Sequence, residues 1–148
     1  MLIRTATRAD IPGMLLLTEN TPTASRWTPA QYERLTDTNA PRRVALICEE
    51  GSELQALIVA LVIADEWEIE NVVVANELRR RGLATRLLKE LIEQARAEGA
   101  HAIFLEVRDS NTAARHLYKN AGFHETGRRP RYYSDPVEDA ILYRHSLA

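Results

Sequence analysis

An α/β (α+β) domain, with a mixed and mostly antiparallel central sheet flanked by helices, is the fold this sequence predicts. Three observations lead there. Residues 82–98 carry apolar side chains at helical spacing, with Leu83, Leu87, Leu88, Leu91, Ile92 and Ala95 on one face and Lys89, Glu90, Glu93, Arg96 and Glu98 on the other. Residues 43–49, 54–64 and 67–75 are apolar or alternating runs separated by short polar turns, as in a strand meander. Helical and strand patterns then interleave along the chain in the order β-α-α-β-β-β-α-β-α-β-β, which calls for crossover helices as well as hairpins.

The elements follow in order. Residues 2–6 read as a first strand. A helix follows over 9–19, with Ile11, Met14, Leu15 and Thr18 along one face and Pro12 in its first turn, where the missing N–H costs nothing. Gly13 weakens it. Thr28-Pro29-Ala30-Gln31 is a helix start, because Thr28 can cap, Pro29 suits the first helical position and Gln31 can close a capping box. Tyr32 and Leu35 then share a face, and residues 22–27 ahead of them form a loop. The hairpin between 43–49 and 54–64 turns at Glu50-Gly51-Ser52-Glu53, and the strand over 67–75 alternates before closing on Val72-Val73-Val74. Gly99 stops the long helix. Residues 102–107 form a short buried strand, 111–120 a helix with Ala114, Leu117 and Tyr118 on one face, and 123–133 with 137–145 a final strand pair around Ser134-Asp135-Pro136.

The chain has 148 residues, a common size for one domain and enough for a core without disulfides or metal, so a single domain over 1–148 is expected. A net charge of −2 gives no bulk attraction for nucleic acid or an anionic membrane. Cys48 is the one cysteine; it lies in an apolar run and fits a buried, inert thiol in a reducing, cytoplasmic setting. The N-terminal residues lack a signal-peptide pattern, and no apolar segment is long enough to span a bilayer. His101, His116, His124 and His145 are scattered without metal-ligand spacing, so no metal is expected.

Local chemistry is concentrated at Arg79-Arg80-Arg81-Gly82-Leu83-Ala84-Thr85, between the strand at 67–75 and the long helix. A helix N-terminus offers unpaired N–H groups and the positive end of the macrodipole, which together suit a phosphate. Gly82 permits close backbone approach, Ala84 adds little bulk, Thr85 adds a hydroxyl and the three arginines add local charge. The segment is neither a Walker A loop nor a full dinucleotide glycine motif. By itself it is an anion site or a solvated arginine run.

This segment, followed by Leu105-Glu106-Val107-Arg108-Asp109-Ser110-Asn111, Ala114 and Leu117-Tyr118-Lys119-Asn120-Ala121-Gly122-Phe123, resembles the GNAT superfamily of acetyl-CoA-dependent N-acetyltransferases. Arg79 to Ala84 match its Arg/Gln-x-x-Gly-x-Gly/Ala signature. Within it the chain is most similar to the RimI type, which acetylates the N-terminal alanine of a small-subunit ribosomal protein; Glu106 in its strand, Tyr132-Tyr133, Glu138-Asp139 and Trp27-Thr28 carry that likeness. The resemblance implies the GNAT fold, acetyl-CoA as cosubstrate, and a peptide or protein N-terminal amine as acceptor. It implies pyrophosphate binding by residues 79–85, cofactor contacts from Asn111 and Tyr118, and backbone groups of Val72, Val73 and Val74 along the pantetheine arm, next to a strand splayed by a bulge. Val72 and Val74 are the expected contacts, although alternation alone cannot fix their register.

The implied reaction is aminolysis of a thioester. Amines are largely protonated at neutral pH, so a base must remove a proton, and the thiolate must be stabilised as it leaves. Glu106 interrupts an apolar strand, where a carboxylate's pKa should rise, and is the expected base; the alternative is a structural pairing with Arg108 or another cation. Tyr118 is the expected acid toward sulfur, although a tyrosine on an apolar helix face can simply pack. Asn111 suits a helix cap whether or not it touches cofactor. Glu68 and Glu70 are alternative bases or amine binders, and Trp27, Trp67, Tyr132 and Tyr133 are candidates for lining an acceptor channel. Two competing functions remain: acetylation of a small amine, with Glu66, Glu68 and Glu70 favouring a cationic one, and a non-catalytic acetyl-CoA-binding domain. The protein is expected to be a monomer or homodimer.

Overall fold

The computed structural model describes residues 1–21, 27–75 and 82–147. Seven strands form one sheet: β1 (Leu2–Thr5), β2 (Arg43–Glu50), β3 (Glu53–Ile63), β4 (Glu66–Val74), β5 (Ala102–Arg108), β6 (His124–Ser134) and β7 (Val137–Ser146), in the spatial order β1-β2-β3-β4-β5-β7-β6. The helices are α1 (Ile11–Glu19), α2 (Pro29–Glu33), α3 (Leu83–Ala97) and α4 (Thr112–Asn120). Every neighbouring pair of strands is antiparallel except β4 with β5. The element order read from the sequence is the order observed. Among the described residues no helix is long and apolar enough to cross a membrane.

Each face of the sheet has its own core. On one face α3 lays Leu83, Leu87, Leu88, Leu91, Ile92 and Ala95 against Val44, Leu46, Ile58, Trp67, Ile103 and Leu105, and Tyr118 and Phe123 extend this core under β7. Each such leucine contributes about 1.5–3 kcal/mol by leaving water. On the other face α1 and α2 cover β2, β3 and the end of β4 through Ile11, Met14, Leu17, Tyr32, Ile47, Leu57, Val59 and Val73. In α1 it is Leu17, and not Leu15, that is fully buried alongside Ile11, Met14 and Thr18. The α2 start is the reciprocal cap its sequence encodes: the Gln31 N–H donates to Thr28 Oγ1 at 3.2 Å, and the Thr28 N–H donates to Gln31 Oε1 at 2.8 Å.

β4 changes face halfway along. Ala60 pairs with Ile69 and Val59 pairs with Asn71, so Glu70 is an extra residue with no opposite number on β3. Such a bulge resets the alternation. Before it Trp67 and Ile69 face α3; after it Val73 faces α1, while Val72 and Val74 pack toward α3. Asn71 is thereby turned into the α1–α2 core at 3% exposure. Its Nδ2 donates to the Tyr32 hydroxyl at 3.2 Å, the Tyr32 and Thr18 hydroxyls are 2.5 Å apart, and the Thr18 hydroxyl donates to the Met14 carbonyl at 2.8 Å. This chain ties the bulge to both helices.

Tyr32→Phe removes the middle of that chain and leaves the Asn71 amide without its acceptor in a dry core. A loss of about 1–3 kcal/mol in folding stability is expected, measured by urea unfolding.

Candidate active site

β4 and β5 separate immediately beyond their start. Among the described residues their pairing covers Glu66 with Ala102, Trp67 with Ile103 and Glu68 with Phe104, and stops there. The closed end is fastened by Arg144 of β7, whose two terminal nitrogens donate to the Glu66 carboxylate at 3.1 and 2.5 Å, and by the His101 N–H, which donates to the Asp65 carbonyl at 2.7 Å. Glu66 is therefore committed to an ion pair at the base of the split.

The register that sequence alternation leaves open is set by one bond. The Ala75 N–H donates to the Gln55 carbonyl at 2.9 Å. Hydrogen-bonded pairs alternate along an antiparallel ladder, so Val73 and Asn71 also direct their backbone groups to β3. Val72 and Val74 direct theirs away from β3, into the split. Val73 is turned the other way, with its side chain buried under α1.

The N-terminus of α3 follows β4. Arg79, Arg80 and Arg81 lie outside the described residues. Gly82 is the cap of α3 and not its first helical residue; its φ of +76° is a left-handed conformation that favours glycine, and a Cβ there would meet nothing within 4 Å. The first helical bond is the Arg86 N–H to the Gly82 carbonyl at 3.0 Å, so the N–H groups of Leu83, Ala84 and Thr85 have no partner within the helix. The Leu83 side chain is core, Ala84 is half-buried and Thr85 is exposed.

Beyond β5 the chain turns into α4. The Asn111 side chain accepts from the Ala114 N–H at 3.1 Å, and so caps the helix as its position suggests while its Nδ2 stays uncommitted by that bond. The turn is held by Glu138, which accepts from the Ser110 N–H at 2.8 Å and pairs with Arg108 at 3.1 Å. Asp109 joins it to α4 through Arg115 at 2.7 Å and to β6 through Arg128 at 3.0 Å. Tyr118 sits one and a half turns into α4 at 6% exposure, edge-on to Phe123 with ring centroids 5.6 Å apart. Its hydroxyl makes no hydrogen bond among the described residues. Burial pushes its pKa well above the ordinary phenol value, so it remains protonated.

The split also exposes a group of carboxylates on the α1–α2 face. Glu68, Phe104 and Glu106 share that face, as register with Leu61 and Leu142 requires. Glu106 is largely shielded, at 17% side-chain exposure, and pairs with Arg129 of β6 at 3.2 Å. Its cation is thus Arg129; Arg108 instead holds Glu138 and stacks on Tyr133, 4.2 Å from the ring centroid. Glu70 pairs with Arg43 of β2 at 2.7 Å. Glu68 has no ion pair among the described residues. Burial raises its pKa, with the charges of Glu70 and Glu106 adding to the effect. The carboxyl that its surroundings raise is therefore Glu68.

The aromatic candidates divide. Trp67 is 2% exposed beneath α3 and lines no channel. Trp27 packs on Tyr32, with centroids 5.1 Å apart, next to Glu70. Tyr133 is half-buried and its pKa is raised by burial and by Glu106, while Tyr132 stands 51% exposed against it. Arg43 and Arg129 were not legible as site residues, because each pairs with a carboxylate more than twenty residues away in sequence. Among the described residues no group of histidine, cysteine and acidic side chains is arranged for a metal ion.

The family model of the acetyltransferase (GNAT) family matches residues 14–123. The chain belongs to the acetyltransferase (GNAT) family. It is 37% identical over 95 residues to the ribosomal protein bS18-alanine N-acetyltransferase of Escherichia coli K12, a match covering 63% of this chain and 64% of that protein. A putative enzyme of the same name from Bacillus subtilis is 32% identical over 97 residues, covering 66% of this chain and 64% of the relative. The crystal structure of the ribosomal-protein-S18-alanine N-acetyltransferase from Escherichia coli superposes with a TM-score of 0.89 at 28% identity, over 99% of this chain and 94% of that one. The GNAT fold expected from the sequence is therefore the fold observed.

Glu68 also carries a pH-dependent stability signature. A carboxyl whose folded pKa is raised favours folding below its ordinary value near 4.3 and loses that contribution as pH rises through the raised value. Glu68→Gln should raise Tm at pH 7.5, and the gain should fade as the pH is taken below about 4, where the native carboxyl is neutral as well. Thermal scans of both proteins across that range check it.

Proposed function

We propose that this protein transfers the acetyl group of acetyl-CoA to an N-terminal α-amine of a peptide or protein, as a single catalytic domain working in the cytoplasm. The observation that carries the reading is the split between β4 and β5, with the open N-terminus of α3 and Tyr118 toward one face and the Glu68–Glu106 carboxylates on the other. Family membership and the two bS18-alanine acetyltransferase relatives support it.

Acetyl-CoA supplies an activated thioester. The chain's own groups fit it: the N–H groups of Leu83, Ala84 and Thr85, reached past Gly82, suit the pyrophosphate, and Arg79, Arg80 and Arg81, which precede Gly82 in sequence, add positive charge. The backbone groups of Val72 and Val74 suit the amides of the pantetheine arm, and the Asn111 Nδ2 adds a donor. Glu106 accepts the proton of the acceptor ammonium once Arg129 yields, directly or through water, with Glu68 close by to share it. Tyr118, kept protonated by burial, donates from Oη toward the departing sulfur. Trp27, Glu70, Tyr132 and Tyr133 border the acceptor side. The carboxylates also keep a small cationic amine in view as a second acceptor class.

Two outcomes are expected. Glu106→Gln and Tyr118→Phe should each lower kcat by about a hundredfold or more while leaving acetyl-CoA affinity within a fewfold of wild type, read by steady-state kinetics and calorimetry. In a panel of acceptors followed by thiol release, an alanine-initiated peptide should exceed polyamines and aminoglycosides in kcat/KM. Preference for the small amines would overturn the acceptor assignment, and no transfer to any acceptor would overturn the enzyme.

A further inference from the structure

Next to the carboxylates of β4 lies a cavity of about 40 Å³, lined by Trp27, Gln31, Arg34, Arg43 and Glu70. That volume holds one or two small polar groups. Arg43 is its most constrained wall. Its side chain is 13% exposed; Nε donates to Glu70 Oε1 at 2.7 Å, and Nη2 approaches Glu70 Oε2 at 3.4 Å. Nη1 is buried and has no hydrogen-bond partner among the described residues. Burying a guanidinium N–H unpaired is costly, so the site is built for an acceptor atom.

The charge of that acceptor is constrained as well. Glu70 already balances Arg43, and Arg34 on the far wall is exposed, where water screens it. A neutral oxygen is the better match than a carboxylate. The position is equally informative. Glu70 is the bulge residue of β4, so it belongs to both the cavity and the row that leads through Glu68 to Glu106. In a peptide N-terminus an ammonium and a carbonyl oxygen are separated by a single Cα. A lysine side chain or a polyamine has no carbonyl near its amine.

We propose that the Arg43 cavity is an acceptor subsite that takes a main-chain carbonyl oxygen from the first residues of a peptide while the α-amine lies at the carboxylates, and that it selects α-amines over side-chain amines. This rests on the reading of the β4–β5 split as the acceptor side.

The test compares an alanine-initiated tripeptide amide with the same tripeptide carrying a trans-alkene in place of its first amide. Dissociation constants are measured by calorimetry on CoA-saturated protein, and acetyl transfer is followed in parallel. Wild type should bind the amide about tenfold tighter than the alkene. Arg43→Met combined with Glu70→Met removes the donor without leaving a carboxylate unpaired or adding a new N–H, and should abolish the preference; Glu70→Met alone should keep it. Equal binding of both peptides by wild type, a preference retained in the double variant, or binding of neither peptide would overturn the subsite. A preference that behaves as described without any acetyl transfer would leave the subsite standing and remove the proposed activity instead.

Discussion

Glu70 has no opposite number on β3, and much of the molecule is arranged around that one extra residue. Without it, Asn71 and Val73 would lie on the α3 face with Trp67 and Ile69, and Val72 and Val74 under α1 and α2. With it, β4 presents one face to each core in turn, and its second half can part from β5 without exposing its apolar side chains. Parallel β4–β5 pairing ends at Glu68, two residues before the bulge. The Asn71–Tyr32–Thr18 chain holds the bulge from the helical side, and the Arg43–Glu70 pair holds it from β2. Removing water from backbone groups that lack partners is expensive, so a split strand pair persists only where something else can satisfy them. The backbone groups of Val72 and Val74, directed away from β3, line such an opening.

The split also sorts charge. Three carboxylates stand on one face, and two of them have an arginine of their own. The third, Glu68, is the one its surroundings push toward the neutral form. The proposed acceptor side thus combines two carboxylates held by arginines with one that burial pushes toward its neutral form. On the α3 face a helix terminus stands where an anion would be suited despite the chain's net negative charge, and Gly82 turns the chain into α3 through a left-handed backbone. Tyr118 lies in the core beneath, where burial keeps its proton in place.

Much of the fold was legible in the sequence because it depends on local rules. Thr28 to Gln31 announce a cap that forms as written, the apolar stripe of 83–95 is the buried stripe of α3, and Asn111 caps α4. Family spacing singled out residues 79–85 and Tyr118, of which the described part is the Gly82 cap with the start of α3 and a buried Tyr118. What was hidden depends on register and on long-range pairing. Period-two alternation through Trp67, Ile69, Asn71 and Val73 looks continuous, so the bulge was expected only through the family resemblance, and neither its place at Glu70 nor the burial of Trp67 under α3 could be read from the pattern. Arg129 and Arg43 reach their carboxylates across the sheet, and their neighbours in sequence say nothing of that. Glu106 drew attention by interrupting an apolar strand, yet the same logic applies to Glu68, whose strand is bounded by more polar residues and so looks like a surface edge.

Amide chemical-shift mapping with acetyl-CoA tests most directly the proposal that the cofactor lies in the β4–β5 split. The largest shifts are expected at Val72, Val74, Leu83, Ala84 and Thr85, with Asn111 and its α4 neighbours following and α1 unmoved. Shifts centred on α1 and α2, with β4 and the start of α3 unchanged, would contradict it.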